Sequence, residues 1–217
     1  MLLASNSPRR KELMALGNWT FTSCVSDVDE TPKSGEPAAE YVLRLAEAKA
    51  RAASSEPGPH QYIVAADTAV VDGDTLLGKP KDEPAAIEML RSLRGHTHQV
   101  YTGLALLDLQ STQLLKDLCI THVPMRSYSD HEIRAYVQSG DPFDKAGAYA
   151  IQHGPFHPVE NLNGCYASVM GLPLCHLLRL LTPIQAASQA DLPTRCQTHL
   201  NYACPVSSAI LGGEQVG

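Results

Sequence analysis

Two apolar periods alternate along residues 1 to 182 of this chain. Tyr62 to Val71, Val100 to Leu109 and Leu115 to Met125 are continuous or alternating apolar runs of strand length, and they predict strands. Spacings of three and four residues mark helices between them. A helix from about Pro37 places Val42, Leu45, Ala46 and Ala53 on one face, with Arg44, Glu47 and Arg51 largely elsewhere. Another, from Pro84 to Arg94, turns Ala86, Met89, Leu90 and Leu93 inward and is closed by Gly95.

Shorter signals fill the gaps. Met1 to Ala4 reads as a strand leading into Ser5-Asn6-Ser7-Pro8, where Ser7 suits the cap of a helix beginning at Pro8, and Gly17 suits its end. Trp19 to Ser26 predicts a strand. Asp72-Gly73 is a two-residue turn signal, so a hairpin should follow Val71 and finish near Gly78-Lys79-Pro80. Ser129 predicts the cap of a helix through Ser139 with Ile133, Tyr136 and Val137 inward. Short strands are expected at Ala148 to Ile151 and Tyr166 to Val169, and a last helix from Pro173 through Leu181. The sum is a mixed α/β domain with antiparallel pairs. Beyond a boundary near Thr182-Pro183, residues 183 to 217 are rich in Ser, Thr, Gln, Ala, Pro and Gly with weak periodicity, which predicts a flexible C-terminal extension.

Composition narrows the function classes. The formal charge of −6 lacks the positive excess of a polyanion binder, so nucleic acid is a poor partner. No run reaches about 18 apolar residues, and the opening MLLASNSPRRKEL turns polar quickly, against a spanning helix or a signal peptide. The six cysteines form no CxxC pair in a chain large enough to fold without staples, so a reducing cytoplasm is the expected compartment. GxSxG and GxxxxGK[ST] are absent, which disfavours α/β-hydrolase and P-loop chemistry.

The candidate chemistry starts with Arg9 and Arg10, which follow Pro8 in the first turn of a helix. Cations are normally favoured at the other helix end, so guanidinium forks beside free N–H groups suggest a phosphate corner; a solvated cationic face is the alternative. Asp67 interrupts YIVAADTAVV, where a half-buried carboxylate needs a cation or a proton, as a metal ligand, a catalytic group or a structural ion pair. Thr68 beside it would point to the opposite face of a regular strand, so a shared site requires an irregular strand end. Asp27, Asp29 and Glu30 offer oxygen ligands for a hard cation, or simply a charged loop, and Asp67 would be the company that favours Glu30. Lys79 between Gly78 and Pro80 can aim an ammonium at a phosphate. The stretch FDKAGAYAIQ, with Lys145 and Gln152, suits a close-approach loop, and the Gln152 amide has the donor and acceptor needed to read a base edge. The nine histidines show no metal motif, His96 and His98 would share a strand face, and Cys196, His199 and Cys204 lack an evident fourth zinc ligand.

SNSPRR, VDE, AADT, GKP, HQVYTG, DKAGAYAIQ and SVMGLPL, in that order, resemble the Maf family of nucleoside triphosphate pyrophosphatases across residues 1 to 182. The resemblance implies an elongated mixed β-sheet flanked by helices around a central cleft, similar to inosine triphosphate pyrophosphatases. It also implies cleavage of a nucleoside triphosphate to monophosphate and diphosphate with magnesium or manganese. By motif, Asp67 matches the family's catalytic acid-base position, and Arg9, Thr68 and Gln152 match positions tied to substrate choice. Arg10, Lys79 and Lys145 fall on other substrate-binding positions of the cleft, and Glu30 with Asp67 on the metal-holding ones. Arg9, Thr68 and Lys145 stand where the 7-methyl-GTP branch carries Trp, Gln and Cys, so the resemblance favours the dTTP and UTP branch and, with it, a house-cleaning role on standard or modified pyrimidine nucleotides. A 7-methyl-GTP enzyme and a nucleotide-responsive inhibitor of septum formation with little turnover are the alternatives. Family members are often homodimers. HGPFHPVENLNG replaces a more glycine-rich stretch of the family, and the tail has no counterpart in the resemblance.

Overall fold

The computed structural model describes residues 1 to 184 and 191 to 217. Its centre is one mixed sheet whose strands are β1 (Leu2–Leu3), β2 (Thr22–Ser23), β3 (Tyr62–Asp72), β4 (Thr75–Leu77), β5 (Thr97–Asp108) and β6 (Leu114–Pro124). The order is β2-β1-β3-β5-β6, with β4 paired to β3. β1 lies parallel to β2 and β3, while β3, β5 and β6 are antiparallel neighbours. The long pair is unbroken, from Tyr62 opposite Asp108 to Val71 opposite Gln99.

Helices cover both faces: α1 (Pro8–Ala15), α2 (Ala38–Ala52), α3 (Glu83–Leu93), α4 (Asp130–Gln138), α5 (Tyr166–Val169) and α6 (Leu174–Leu181). α2 puts Val42, Leu45, Ala46 and Ala50 against the sheet, and Ala46, Ala50 and Ala53 meet Ile63, Ala65, Ala105 and Leu107 in one apolar layer. Alternate residues of β3, Val64, Ala66 and Val70, enter the larger core on the opposite face. Gly103 lets α2 come close, because a Cβ there would stand 2.7 Å from the Val42 carbonyl carbon. Capping is as the sequence predicts for α1 and α4: Ser7 accepts from Arg10 N, and Ser129 forms a capping box with Glu132. No helix among the described residues is long and apolar enough to cross a membrane.

The structure departs from the sequence reading in three places. Ala148 to Ile151 is not a strand; Gly147 and Ala148 both take positive φ, 71° and 60°, which turns the chain through a 3-10 turn and a bend. Tyr166–Val169 is a helical turn, since its backbone closes on itself through Met170 N to Tyr166 O. Of the strand expected over Trp19 to Ser26, only Thr22–Ser23 pairs.

The tail also differs from a free extension. α7 (Leu192–Leu200) and α8 (Ser207–Leu211) bring Leu192, Cys196 and Ile210 into burial, the first two within the main core. Arg179 on α6 donates to the Ile210 and Glu214 carbonyl oxygens, and the single Tyr202 hydroxyl proton lies between the Leu162 and Gly164 carbonyl oxygens, at 3.1 and 2.9 Å. Sequence periodicity is weak there because the buried residues are few. Residues 185 to 190, at the start of that extension, lie outside the described part.

Candidate active site

The sheet has a gap on one side of β3. β1 pairs only as far as Leu3 opposite Val64, and β4 begins only at Leu77 opposite Val70. Between those points the β3 edge is open, and there a cleft of about 560 Å³ enters the molecule. α1 starts immediately beyond β1 at this gap, so its first turn, with Arg9 and Arg10, lines the cleft. Arg9, Arg10, Glu30, Asp67, Thr68, Lys79, Lys145 and Gln152 all line it. The irregular strand end that Asp67 and Thr68 were expected to need is absent; the open edge lets side chains from both faces of a regular strand reach one space.

On the α2 face, Asp67 Oδ1 accepts from Lys49 Nζ at 2.6 Å, and the same ammonium lies 2.6 Å from Glu30 Oε1. Asp67 and Lys49 are 7% and 9% exposed, so this is a buried pair with a third, more open member. Burial raises the Asp67 carboxyl above its ordinary 3.8, although the Lys49 and Arg10 charges pull the other way. For Glu30 burial also raises, but Lys49, Lys79 and Arg10 together outweigh it and leave that carboxyl below its ordinary value. The second Asp67 oxygen has no hydrogen bond among the described residues. Asp29, by contrast, turns to its own loop and accepts from Thr31 N, and Asp27 is exposed outside the cleft.

On the other face, Arg10 donates through Nε to Gly171 O at 2.8 Å and through Nη2 to Thr68 Oγ1 at 3.2 Å. Gly171 has φ of 104°, a conformation that disfavours side chains, and a Cβ there would crowd Arg10 Nε at 3.0 Å. Lys145 is buried and saturated: its ammonium donates to Asp141 O, Asp141 Oδ1 and Asp144 Oδ1 at 2.6, 2.9 and 2.6 Å. Arg9 stands 3.7 Å from the other Asp144 oxygen. Lys79 and Gln152 are exposed at the cleft wall. The segment between them is pinned, with Gly147 N donating to Gly78 O at 3.1 Å and Ala150 N to the Tyr136 hydroxyl at 3.0 Å.

The sequence reading did not include Lys49 or Asp144. The signal for Lys49 was present: it falls on the inward stripe of α2 between Ala46 and Ala50, where a cation must have an acidic partner. Two other expectations remain apart from the cleft. His98 is buried on β5 and shares a 2.8 Å hydrogen bond with the Tyr149 hydroxyl, and burial lowers it to about 4, so it is neutral. Cys196 is buried, while His199 pairs with Glu12 of α1 at 2.7 Å; no group of three or more metal-ligating side chains occurs among the described residues.

Comparison with known proteins finds relatives along most of the chain. The family model described as Maf-like protein matches residues 1 to 184. A protein of Geobacter sulfurreducens named dTTP/UTP pyrophosphatase is 45% identical over 86% of this chain and 97% of its own. Proteins of the same name from Clostridium botulinum strain Okra and Escherichia coli O157:H7 are each 43% identical, over 83% and 86% of this chain and 95% and 93% of theirs. A solved structure of a nucleoside triphosphatase / dITP/XTP pyrophosphatase from Mycobacterium abscessus is 15% identical and covers 57% of this chain and 73% of its own, with a TM-score of 0.35. A match spanning residues 1 to 184 of the 217, with relatives above 40% identity along almost their full length, establishes that this chain belongs to the Maf family.

Proposed function

We propose that this cleft hydrolyses dTTP and UTP between the α- and β-phosphates, releasing the nucleoside monophosphate and diphosphate. Relatives bearing that name support the substrate class. The observation that carries the chemistry is the Glu30, Lys49 and Asp67 cluster standing in one cleft with Arg9, Arg10 and Lys79. Acid groups on one wall and cations on the other are the arrangement needed to activate water beside a polyanion.

Asp67 is assigned as the general base. Its Oδ1 is held by Lys49, and its burial-raised affinity for protons suits it to take one from water through the other oxygen. The water oxygen then bonds to phosphorus while the α–β phosphoanhydride bond breaks and its electron pair leaves with the diphosphate. Arg9, Arg10 and Lys79 face the growing charge. Gln152, exposed at the cleft wall, is assigned to reading the pyrimidine edge, with Lys145 holding the segment that carries it through Asp141 and Asp144.

The donor set fits a magnesium or manganese ion bound jointly with substrate. Glu30 and Asp67 already converge on one cation, the Lys49 ammonium, and hard divalent ions commonly use one or two carboxylates plus phosphate oxygens and water. Glu30 and Asp67 would hold the ion, which would supply charge neutralisation at the phosphates. Diphosphate release from dTTP and UTP, compared between the parent and Asp67→Asn, tests this reading: turnover in the parent and its loss in the variant are expected, and equal turnover in both would overturn the assignment of Asp67.

A further inference from the structure

We propose that Thr102, a residue with no access to the cleft, is a positioning residue that fixes the aim of Arg10 through Thr68. The proposal rests on the reading of Arg10 as a diphosphate-binding group. Thr102 lies on β5 directly opposite Thr68 on β3 and is fully buried. Its hydroxyl donates to Ser168 O at 2.9 Å, and a carbonyl can only accept. A hydroxyl has one proton, so the 3.0 Å contact between the two threonine oxygens must use the proton of Thr68. Thr68 in turn accepts from Arg10 Nη2 at 3.2 Å. Donor counting therefore gives a single direction, from Arg10 to Thr68 to Thr102 to the Ser168 carbonyl.

Two consequences follow for the cleft. Thr68 has spent its proton inside the protein, so it presents only a lone pair to a bound nucleotide and cannot donate to a base carbonyl or a phosphate. Arg10 has two of its five N–H groups committed, one to Thr68 and one to Gly171 O, which fixes the guanidinium plane and leaves three for phosphate oxygens. Both backbone acceptors belong to the end of α5 and the residues after it. Thr102 is thus the joint that locks sheet, Arg10 and α5 into one geometry.

The test compares Thr102→Val, which keeps the shape and removes the hydroxyl, with Thr102→Ser, which keeps the hydroxyl. Inhibition by inorganic diphosphate and by dTMP is measured at fixed magnesium, along with kcat and KM for dTTP. Thr102→Val should weaken diphosphate inhibition about tenfold or more, the scale of one hydrogen bond to a charged group, while dTMP inhibition changes less than about twofold. Thr102→Ser should restore diphosphate inhibition. In an Arg10→Lys background the Thr102→Val effect should vanish, because the interaction it supports is already gone. Equal weakening toward diphosphate and dTMP, failure of serine to rescue, or full additivity with Arg10→Lys would overturn the proposal. Thr68→Val, which breaks the next link, should give the same signature if Thr102→Val does not fold, and unchanged diphosphate inhibition in it would equally overturn the proposal. Should the parent turn over neither dTTP nor UTP, the proposed function fails, while calorimetric binding of diphosphate to the same variants still decides the role of Thr102.

Discussion

The ammonium of Lys49 lies 2.6 Å from Asp67 Oδ1 with both side chains nearly excluded from water, and this buried pair joins α2 to the centre of the sheet. Removing one partner leaves the other charge uncompensated, which costs roughly 3–5 kcal/mol in buried pairs. Lys49→Met should therefore lower stability markedly by denaturant unfolding. Magnesium should recover more of that loss in the variant than it adds to the parent, because Glu30 and Asp67 would then lack their resident cation. A melting temperature that responds to magnesium equally in both proteins would separate the ion from these carboxylates.

Asp67→Asn removes the charge with little change of shape. The expected cost is about 2.7 kcal/mol or more in activation energy, about a hundredfold in kcat, with the fold retained at reduced stability because Glu30 still faces the Lys49 ammonium and the amide oxygen can still accept from it. Steady-state rates and a melting curve check both halves.

Gln152 is exposed at the cleft wall and bonded to nothing among the described residues, so its removal should leave stability unchanged. If it reads the pyrimidine edge, Gln152→Ala lowers kcat/KM for dTTP about tenfold and narrows discrimination against 7-methyl-GTP. Unchanged discrimination in the two-substrate comparison removes it from the specificity residues.

Gly103→Ala places a methyl 2.7 Å from the Val42 backbone, where no flexible side chain can yield. The helix that carries Lys49 must shift, at roughly 1–3 kcal/mol by denaturant unfolding. Activity should fall further than stability alone explains, since Lys49 moves with α2.

The tail is tied to the domain by a buried charge cluster. His176 Nδ1 lies 3.1 Å from Asp117 Oδ2, its other nitrogen 3.1 Å from Val216 O, and Arg179 bonds both Asp117 oxygens. Burial alone would lower the imidazole, but Asp117 and the Cys119 sulfur raise it, to about 9. A folded value above the ordinary 6.5 means that its stabilisation is complete below about pH 6.5 and is lost as pH rises through about 9. The stability difference between the parent and His176→Gln should shrink over that window; a constant difference contradicts it. Deleting residues 185 to 217 should lower the melting temperature, by about 2–4 °C per kcal/mol lost.

Long periodic elements were legible because their signal repeats: the α2 stripe and the β3 run stand as the pattern predicts, and a hairpin does follow Val71, although its two turn residues are Gly73-Asp74 and Asp72 is still paired, with Thr75. Four-residue apolar runs such as Tyr166–Val169 repeat too little to separate strand from helix, and there the structure decided for helix. The candidate site residues were legible one at a time, but their convergence was not. It depends on β1 stopping at Leu3 and β4 reaching no further than Leu77, a fact of strand pairing that no local pattern contains. Lys49 was hidden for the same reason: hydrophobic periodicity marks its position on the inner face, and only the packing of α2 on β3 supplies Asp67 as its partner. In the tail, Leu192 and Cys196 make a single i, i+4 pair and Ile210 stands alone, too few repeats to show a period.

The most direct test is diphosphate release from dTTP, UTP, CTP, GTP, ATP and 7-methyl-GTP, each with magnesium, with manganese and with chelator. Turnover confined mainly to dTTP and UTP and abolished by chelator is the expected result. Demonstrable nucleotide binding with no release from any of the six would contradict a hydrolytic cleft and leave a nucleotide-responsive protein in its place.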